Sequence, residues 1–352
     1  MIDKEKNYQL KGVAILLMLF HHLFAFSDRI PFGNDVLAGN NILRSIGFYS
    51  KICVSFYMFL GGYVLYKNYN NSFKTIIQSV KKLYIKYWKI FIIFVPIGLL
   101  LFNNQMQYAQ DINMSNRFYN LGIIEIVLNF IGVISTINRE WWFLQTFVFC
   151  LILGFVYLKI FNKKSNLILE LIFITIVFLL LRYLIPNILS QIDSEIIKEQ
   201  LGTLFKWNIT LFLTGIVFAK YKIYEMFARY YKNTFVNIIL LIVLLIIRKI
   251  VSMDLLDIIL VPFIMIEIVN IFSKSKTIKS IFEYFGKNST NMWLCHTFYC
   301  YYFYFFVKIV YFTNNPIVIY GTLLAITLLT SIIIDLFYNI ISRKIFKNRI
   351  VL

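Results

Sequence analysis

Residues 10–26 read LKGVAILLMLFHHLFAF, an apolar run long enough to enter a membrane, with a lysine near its start and two histidines near its end. A titratable ring is costly in hydrocarbon, so a histidine inside such a run marks a functional site by default. The chain holds three histidines, His21, His22 and His296, and all three fall in strongly apolar stretches. Lys11 and His22 are eleven positions apart. On a helix, eleven steps of about 100° return to within about 20° of the starting face. The two side chains therefore share a face, about 16 Å apart along the axis, while His21 points about 100° away from His22.

Composition says what kind of chain surrounds that run. Its 352 residues are 60% hydrophobic and 15% charged, with a mean hydropathy of +0.73. Soluble domains average about 45–50% apolar and about 25% charged residues. The values predict an all-α, polytopic integral membrane protein formed as one membrane domain over residues 1–352. Ten spans are expected, at 10–27, 45–66, 84–103, 141–161, 167–185, 207–221, 235–250, 254–272, 291–312 and 316–341. The first run lacks a small-residue cleavage site and is expected to stay as an uncleaved span. The apolar segment 121–134 is too short to cross comfortably and is expected to be re-entrant or interfacial.

The net charge of +18 follows from this topology. With ten spans and both termini on one side, that side receives 24 of the 35 basic residues. They include Lys4, Lys6 and Lys11, the loop from Lys67 to Lys89, Lys163, Lys164, Arg229, Lys232, and Arg343 to Arg349. The positive-inside rule places both termini in the cytoplasm. The charge is accordingly read as orientation in a lipid bilayer, with no nucleic acid among the expected partners. Abundant Ile, Lys, Asn, Phe and Tyr suggest an AT-rich bacterial genome, and so a bacterial cytoplasmic membrane.

Cys53, Cys150, Cys295 and Cys300 all lie in expected spans without zinc or redox spacing, so buried free thiols and no metal site are expected. Among acids, Glu267 and Asp335 stand out within spans. Asp335 is eight positions before Arg343, a spacing that suits a headgroup-level ion pair. Arg44, Lys51, Arg139 and Glu140 fall toward the outer side, where they either line a ligand-binding mouth or sit at the interface. Gly61-Gly62-Tyr63 lies amid bulky residues, and the glycines permit close approach of another helix or of a ligand. In the stretch Phe285-Gly286-Lys287-Asn288-Ser289, Gly286 is expected to end a short helix, with Asn288 or Ser289 capping the next.

Taken in order, these segments resemble the acyltransferase-3 family of integral membrane O-acyltransferases. The basic residue, ten intervening residues and histidine of the family's first helix are Lys11 and His22 here, with Lys where Arg is common. Phe56 and Tyr57, followed by Gly61-Gly62-Tyr63, match the second helix, with Gly61 in place of the usual serine. Trp142-Phe143-Leu144, Phe212-Leu213-Thr214-Gly215, and Gly286-Lys287-Asn288-Ser289 with His296 complete the series. The resemblance implies transfer of an acyl group, usually acetyl, from cytoplasmic acyl-CoA to a hydroxyl on a cell-surface or lipid-linked polysaccharide.

On that resemblance the catalytic candidates are His22 and His296. Lys11, Gly61, Gly62 and Tyr63 are the candidates for meeting the acyl donor. Acetyl-CoA or another acyl-CoA enters as a substrate, and no tightly bound cofactor is expected. A neutral His22 imidazole can take the proton of an attacking hydroxyl, or carry the acyl group itself. His296 orients a ligand, donates to a developing oxyanion, or packs. A transporter or flippase for a lipid-linked saccharide, or a non-catalytic membrane relative, remains the alternative, and a homo-oligomer is left open.

Overall fold

The computed structural model describes residues 2–70, 72–103, 116–161, 165–228, 233–251 and 254–347. Lys163, Lys164, Arg229, Lys232 and Arg349 of the charge argument lie outside them, as do the side chains of Arg343, Lys344 and Lys347. The described residues are mostly helical, with no strand among them. The main helices are α1 (Lys4–Phe24), α2 (Asn41–Tyr49), α3 (Ile52–Asn68), α4 (Lys74–Leu101), α5 (Ile123–Phe130), α6 (Trp142–Ile160) and α7 (Leu167–Leu179). They continue as α8 (Glu195–Leu204), α9 (Ile209–Lys220), α10 (Thr234–Val251), α11 (Asp254–Phe272), α12 (Lys276–Thr297), α13 (Tyr304–Val310) and α14 (Pro316–Lys347).

Among the described residues, seven helical stretches are long and apolar enough to cross a membrane: Asn41–Asn68, Lys74–Leu101, Arg139–Ile160, Leu167–Ser190, Ile197–Lys220, Thr234–Val251 and Pro316–Ile340. The other three expected spans are helical but fall outside this set. In α1, the polar first turns and the adjacent His21 and His22 dilute the apolar run. The segment 291–312 is not one helix. Past Thr297 the backbone widens over Phe298–Tyr302, where the Phe303 N–H reaches back five residues to the Phe298 carbonyl, and α13 follows separately.

The chain forms two compact units. The first comprises Met1–Ala14, Ile52–Lys81 and Trp141–Gly286. Its centre is α9, in which every residue from Ile209 to Ala219 is buried. Lipid tails are as apolar as leucine, so helix association here depends on close backbone packing at small residues. Gly62 of α3 shows this directly: a Cβ there would lie 1.8 Å from the Phe212 carbonyl oxygen. A Cβ at Gly215 of α9 would lie 2.0 Å from the Phe59 carbonyl oxygen. Two polar groups tie further helices to this centre. Glu170 of α7 pairs with Lys220 at 2.5 Å and accepts hydrogen bonds from Tyr157, Tyr221 and Ser165 at 2.5, 2.7 and 2.5 Å. Asp257 of α11 takes a two-pronged contact from Arg248 of α10 at 2.6 and 3.0 Å and a hydroxyl from Ser55 of α3 at 3.3 Å. The outer face of α10 exposes Phe235, Ile239, Ile242, Ile246 and Ile250, an apolar stripe suited to lipid.

The first unit also corrects the expectation for the Gly286 stretch. Helix α12 runs unbroken from Lys276 through Gly286, Asn288 and Ser289 to Thr297. Gly286 serves a close contact instead of a helix end: a Cβ there would lie 1.8 Å from the Tyr8 carbonyl oxygen of α1. Gly12 makes the reciprocal approach, with the Phe282 carbonyl oxygen 2.0 Å from its would-be Cβ.

The second unit comprises Ile15–Lys51, Lys82–Glu140 and Lys287–Leu352. In it the segment 121–134 contains α5, eight residues and so about 12 Å long. The last carbonyls of a helix have no partner within it. Here Tyr87, Trp88 and Tyr84 of α4 donate to the carbonyls of Asn129, Phe130 and Ile131 at 2.5, 2.9 and 2.9 Å. The buried Asn129 amide then bonds to Glu125 O, Thr136 Oγ1 and the Ile137 N–H. Those bonds fix the chain that leads on to Glu140. Asp335 pairs with Lys89 at 3.5 Å, a partner 246 positions away that spacing along α14 does not suggest. All four cysteines are buried and free.

Candidate active site

Three segments of the second unit converge: the end of α1, the turn before α6, and the end of α12. Helix α1 delivers His21 and His22, both buried. At Gly47 a Cβ would lie 2.6 Å from the Ala25 nitrogen, so the absence of a side chain lets α2 cross against the end of α1. The Gly47 carbonyl then accepts the Nδ1 proton of His21 at 2.8 Å. His21 is thereby occupied by the protein itself.

His22 faces the other way. Its ring lies 4.7 Å from that of His296, centroid to centroid, at 51°. Its Nε2 is 3.5 Å from Oε2 of Glu140, and its carbonyl accepts the Tyr301 hydroxyl. Glu140 has a second charge partner in Arg29, whose Nη1 lies 3.7 Å from Oε1. Arg29 in turn stacks over the Phe26 ring at 4.1 Å.

His296 is fully buried, and its Nδ1 is 2.7 Å from the Trp293 carbonyl. A carbonyl only accepts, so Nδ1 carries the proton and the neutral ring presents a bare lone pair at Nε2. That Nε2 has no partner, nor has Nδ1 of His22. Buried polar atoms are nearly always hydrogen-bonded, and leaving one unsatisfied costs about 1–3 kcal/mol. Two such nitrogens on facing rings are chemically able to accept a proton or a hydrogen-bond donor.

A small frame holds these groups. The Trp293 indole N–H donates to the Glu140 carbonyl at 3.2 Å, and the Glu140 N–H donates to Asn138 Oδ1 at 3.1 Å. The Asn138 amide donates to Thr297 Oγ1 at 2.7 Å, with both side chains fully buried. Trp293 and Thr297 flank His296, so the residues that hold Glu140 also bracket the second histidine.

The sequence candidates are distributed as follows. His22 and His296 meet. Lys11 lies on the same continuous helix as His22 but in the first unit, where its carbonyl accepts the Tyr57 hydroxyl at 3.4 Å. Gly61, Gly62 and Tyr63 also belong to the first unit. Gly62 faces α9, and Gly61 lies between α6 and α9, where a Cβ would meet the Phe147 and Phe212 rings at 2.5 and 2.9 Å. The Tyr63 hydroxyl accepts the Ile2 N–H at 3.1 Å. Arg29, Asn138, Thr297 and Tyr301 escaped the sequence reading, since none stands in a recognisable spacing. Glu140 was named from the sequence only with Arg44, Lys51 and Arg139 as a charged residue toward the outer side, with nothing to tie it to a histidine.

Comparison with known proteins gives one match. The model of the acyltransferase-3 family, described as an acyltransferase domain, matches residues 9–336. No curated protein and no solved structure matches the chain.

Proposed function

The chain belongs to the acyltransferase-3 family, and from that premise we propose that it moves an acetyl or other short acyl group from cytoplasmic acyl-CoA to a hydroxyl of a cell-surface or lipid-linked polysaccharide. It is a multi-pass membrane acyltransferase. The proposal adds ten spans, cytoplasmic termini and a bacterial cytoplasmic membrane.

One observation carries the chemistry: two facing, buried imidazoles each present an unpartnered nitrogen. His22 acts as the general base. It takes the acceptor hydroxyl proton while the oxygen attacks the thioester carbonyl carbon. The carbon–sulfur bond breaks, and the proton passes to the departing CoA sulfur. Burial excludes water, which would otherwise compete as the acceptor. Lys11, about 16 Å along the same helix, is suited to a CoA phosphate at the cytoplasmic mouth.

Replacement of His22 by Ala tests the assignment. The expected result is loss of O-acetyl signals from the proton NMR spectrum of the purified glycan, with normal amounts of the variant in the membrane. Persistent acetylation removes His22 from the chemistry. Loss of the whole glycan in a deletion strain, in place of its acetyl groups alone, points to transport instead.

A further inference from the structure

We infer that Glu140 is the positioning residue of His22, holding the imidazole proton on Nε2 so that Nδ1 is the nitrogen that meets the acceptor hydroxyl. The consequence for rate rests on the acyl-transfer reading above. The geometry does not.

The nitrogen of His22 that faces the carboxylate is Nε2, at 3.5 Å, and the nitrogen without a partner is Nδ1. A neutral imidazole has one donor and one acceptor nitrogen. A carboxylate favours the tautomer that points its N–H toward it. The arrangement at His22 is therefore opposite to that at His21 and His296, where backbone carbonyls hold the proton on Nδ1. Of the three rings, His22 alone has a carboxylate as its orienting group.

Glu140 is itself held firmly enough to orient a ring. Its N–H and carbonyl are bonded to Asn138 and Trp293, and its second oxygen faces Arg29. Arg29 gives Glu140 a cationic partner at 3.7 Å, and the largely buried carboxylate gains in His22 a second partner that a simple Arg–Glu pair would lack. Tyr301 fixes the His22 backbone.

During transfer the acceptor O–H bond breaks and an Nδ1–H bond forms. The ring becomes a cation with a carboxylate already beside its other N–H. When the C–S bond breaks, the same proton leaves Nδ1 for sulfur. Glu140 exchanges no proton at any step; it stabilises the charged ring and fixes which nitrogen reacts.

The scarcity of histidine makes the test direct. Labelling with ¹⁵N-histidine gives three imidazole spin systems, assigned by single substitution of each histidine. In the wild-type protein, His22 is expected to show a protonated Nε2 and a bare Nδ1, the reverse of the other two. Glu140→Ala is expected to let His22 adopt either tautomer. Glu140→Gln keeps an acceptor of the same size, so it keeps the tautomer but loses the charge. Both variants should lower kcat for acyl transfer about 10–100-fold, with KM for acetyl-CoA within about twofold, and Glu140→Asp should recover part of the rate. If Glu140→Ala does not fold, the isosteric Gln variant carries the test. A wild-type His22 protonated on Nδ1, an unchanged tautomer in Glu140→Ala, or a wild-type rate in Glu140→Gln overturns the inference. Wild-type protein that transfers nothing from acetyl-CoA overturns the acyl-transfer reading instead, and the tautomer result still decides the role of Glu140.

Discussion

His296 donates its Nδ1 proton to the Trp293 carbonyl at 2.7 Å, and this bond turns the ring's other nitrogen, Nε2, into a buried acceptor without a partner. A neutral His296 in this state cannot donate to an oxyanion through Nε2. Of the roles open to it from the sequence, orienting a ligand and packing remain compatible with this geometry, and donation through Nε2 does not.

His296→Asn separates the two halves of that ring. An asparagine amide can still donate to the Trp293 carbonyl, but it has no atom at the Nε2 position. The variant is expected to keep its thermal unfolding midpoint in detergent within a few degrees while acyl transfer falls about 100-fold. Unchanged transfer would mean that Nε2 takes no part.

The α3–α9 contact predicts a sharp difference among glycines. Cβ atoms at Gly62 and Gly215 would lie 1.8 and 2.0 Å from backbone oxygens, which cannot swing away as a side chain can. Gly62→Ala and Gly215→Ala should each cost about 3 kcal/mol or prevent assembly. Gly321→Ala on α14, where nothing lies within 4 Å, should be neutral or stabilise by up to about 1 kcal/mol. Melting curves of the three purified variants compare them directly, and equal melting would refute the close contact.

Glu170 and Lys220 provide a test by double substitution. Both are almost wholly buried and 2.5 Å apart. Lys220→Met leaves a buried carboxylate without its cation and should cost about 3–5 kcal/mol. Adding Glu170→Gln removes the orphaned charge and should restore most of that loss, because Gln still accepts from Tyr157. Additive losses in the cycle would show that the two residues do not act as a pair.

The sequence carried more of this protein than its lack of soluble-domain features suggests. Apolar runs and sparse charge made the all-helical membrane character plain, because a bilayer admits few other solutions. His22 stood out because an intramembrane imidazole is rare. Other features were hidden. The continuity of α12 through Gly286 could not be read locally, since the glycine answers to the Tyr8 carbonyl on a distant helix. Lys89 as the partner of Asp335 was equally invisible to spacing along one helix.

The amino-acid sequence by itself determined the solvent of this fold, the helical answer to it, and the presence of two histidine-bearing helices. It did so because those properties depend on local hydropathy and period. Only the tertiary structure decided which histidine nitrogen is bare and which carboxylate stands beside it. Glu140 reaches His22 from 118 positions away along the chain, and the Trp293 and Thr297 contacts that hold its segment come from a third. Protonation and orientation depend on partners within a few ångströms in space, and no pattern along the chain records those distances.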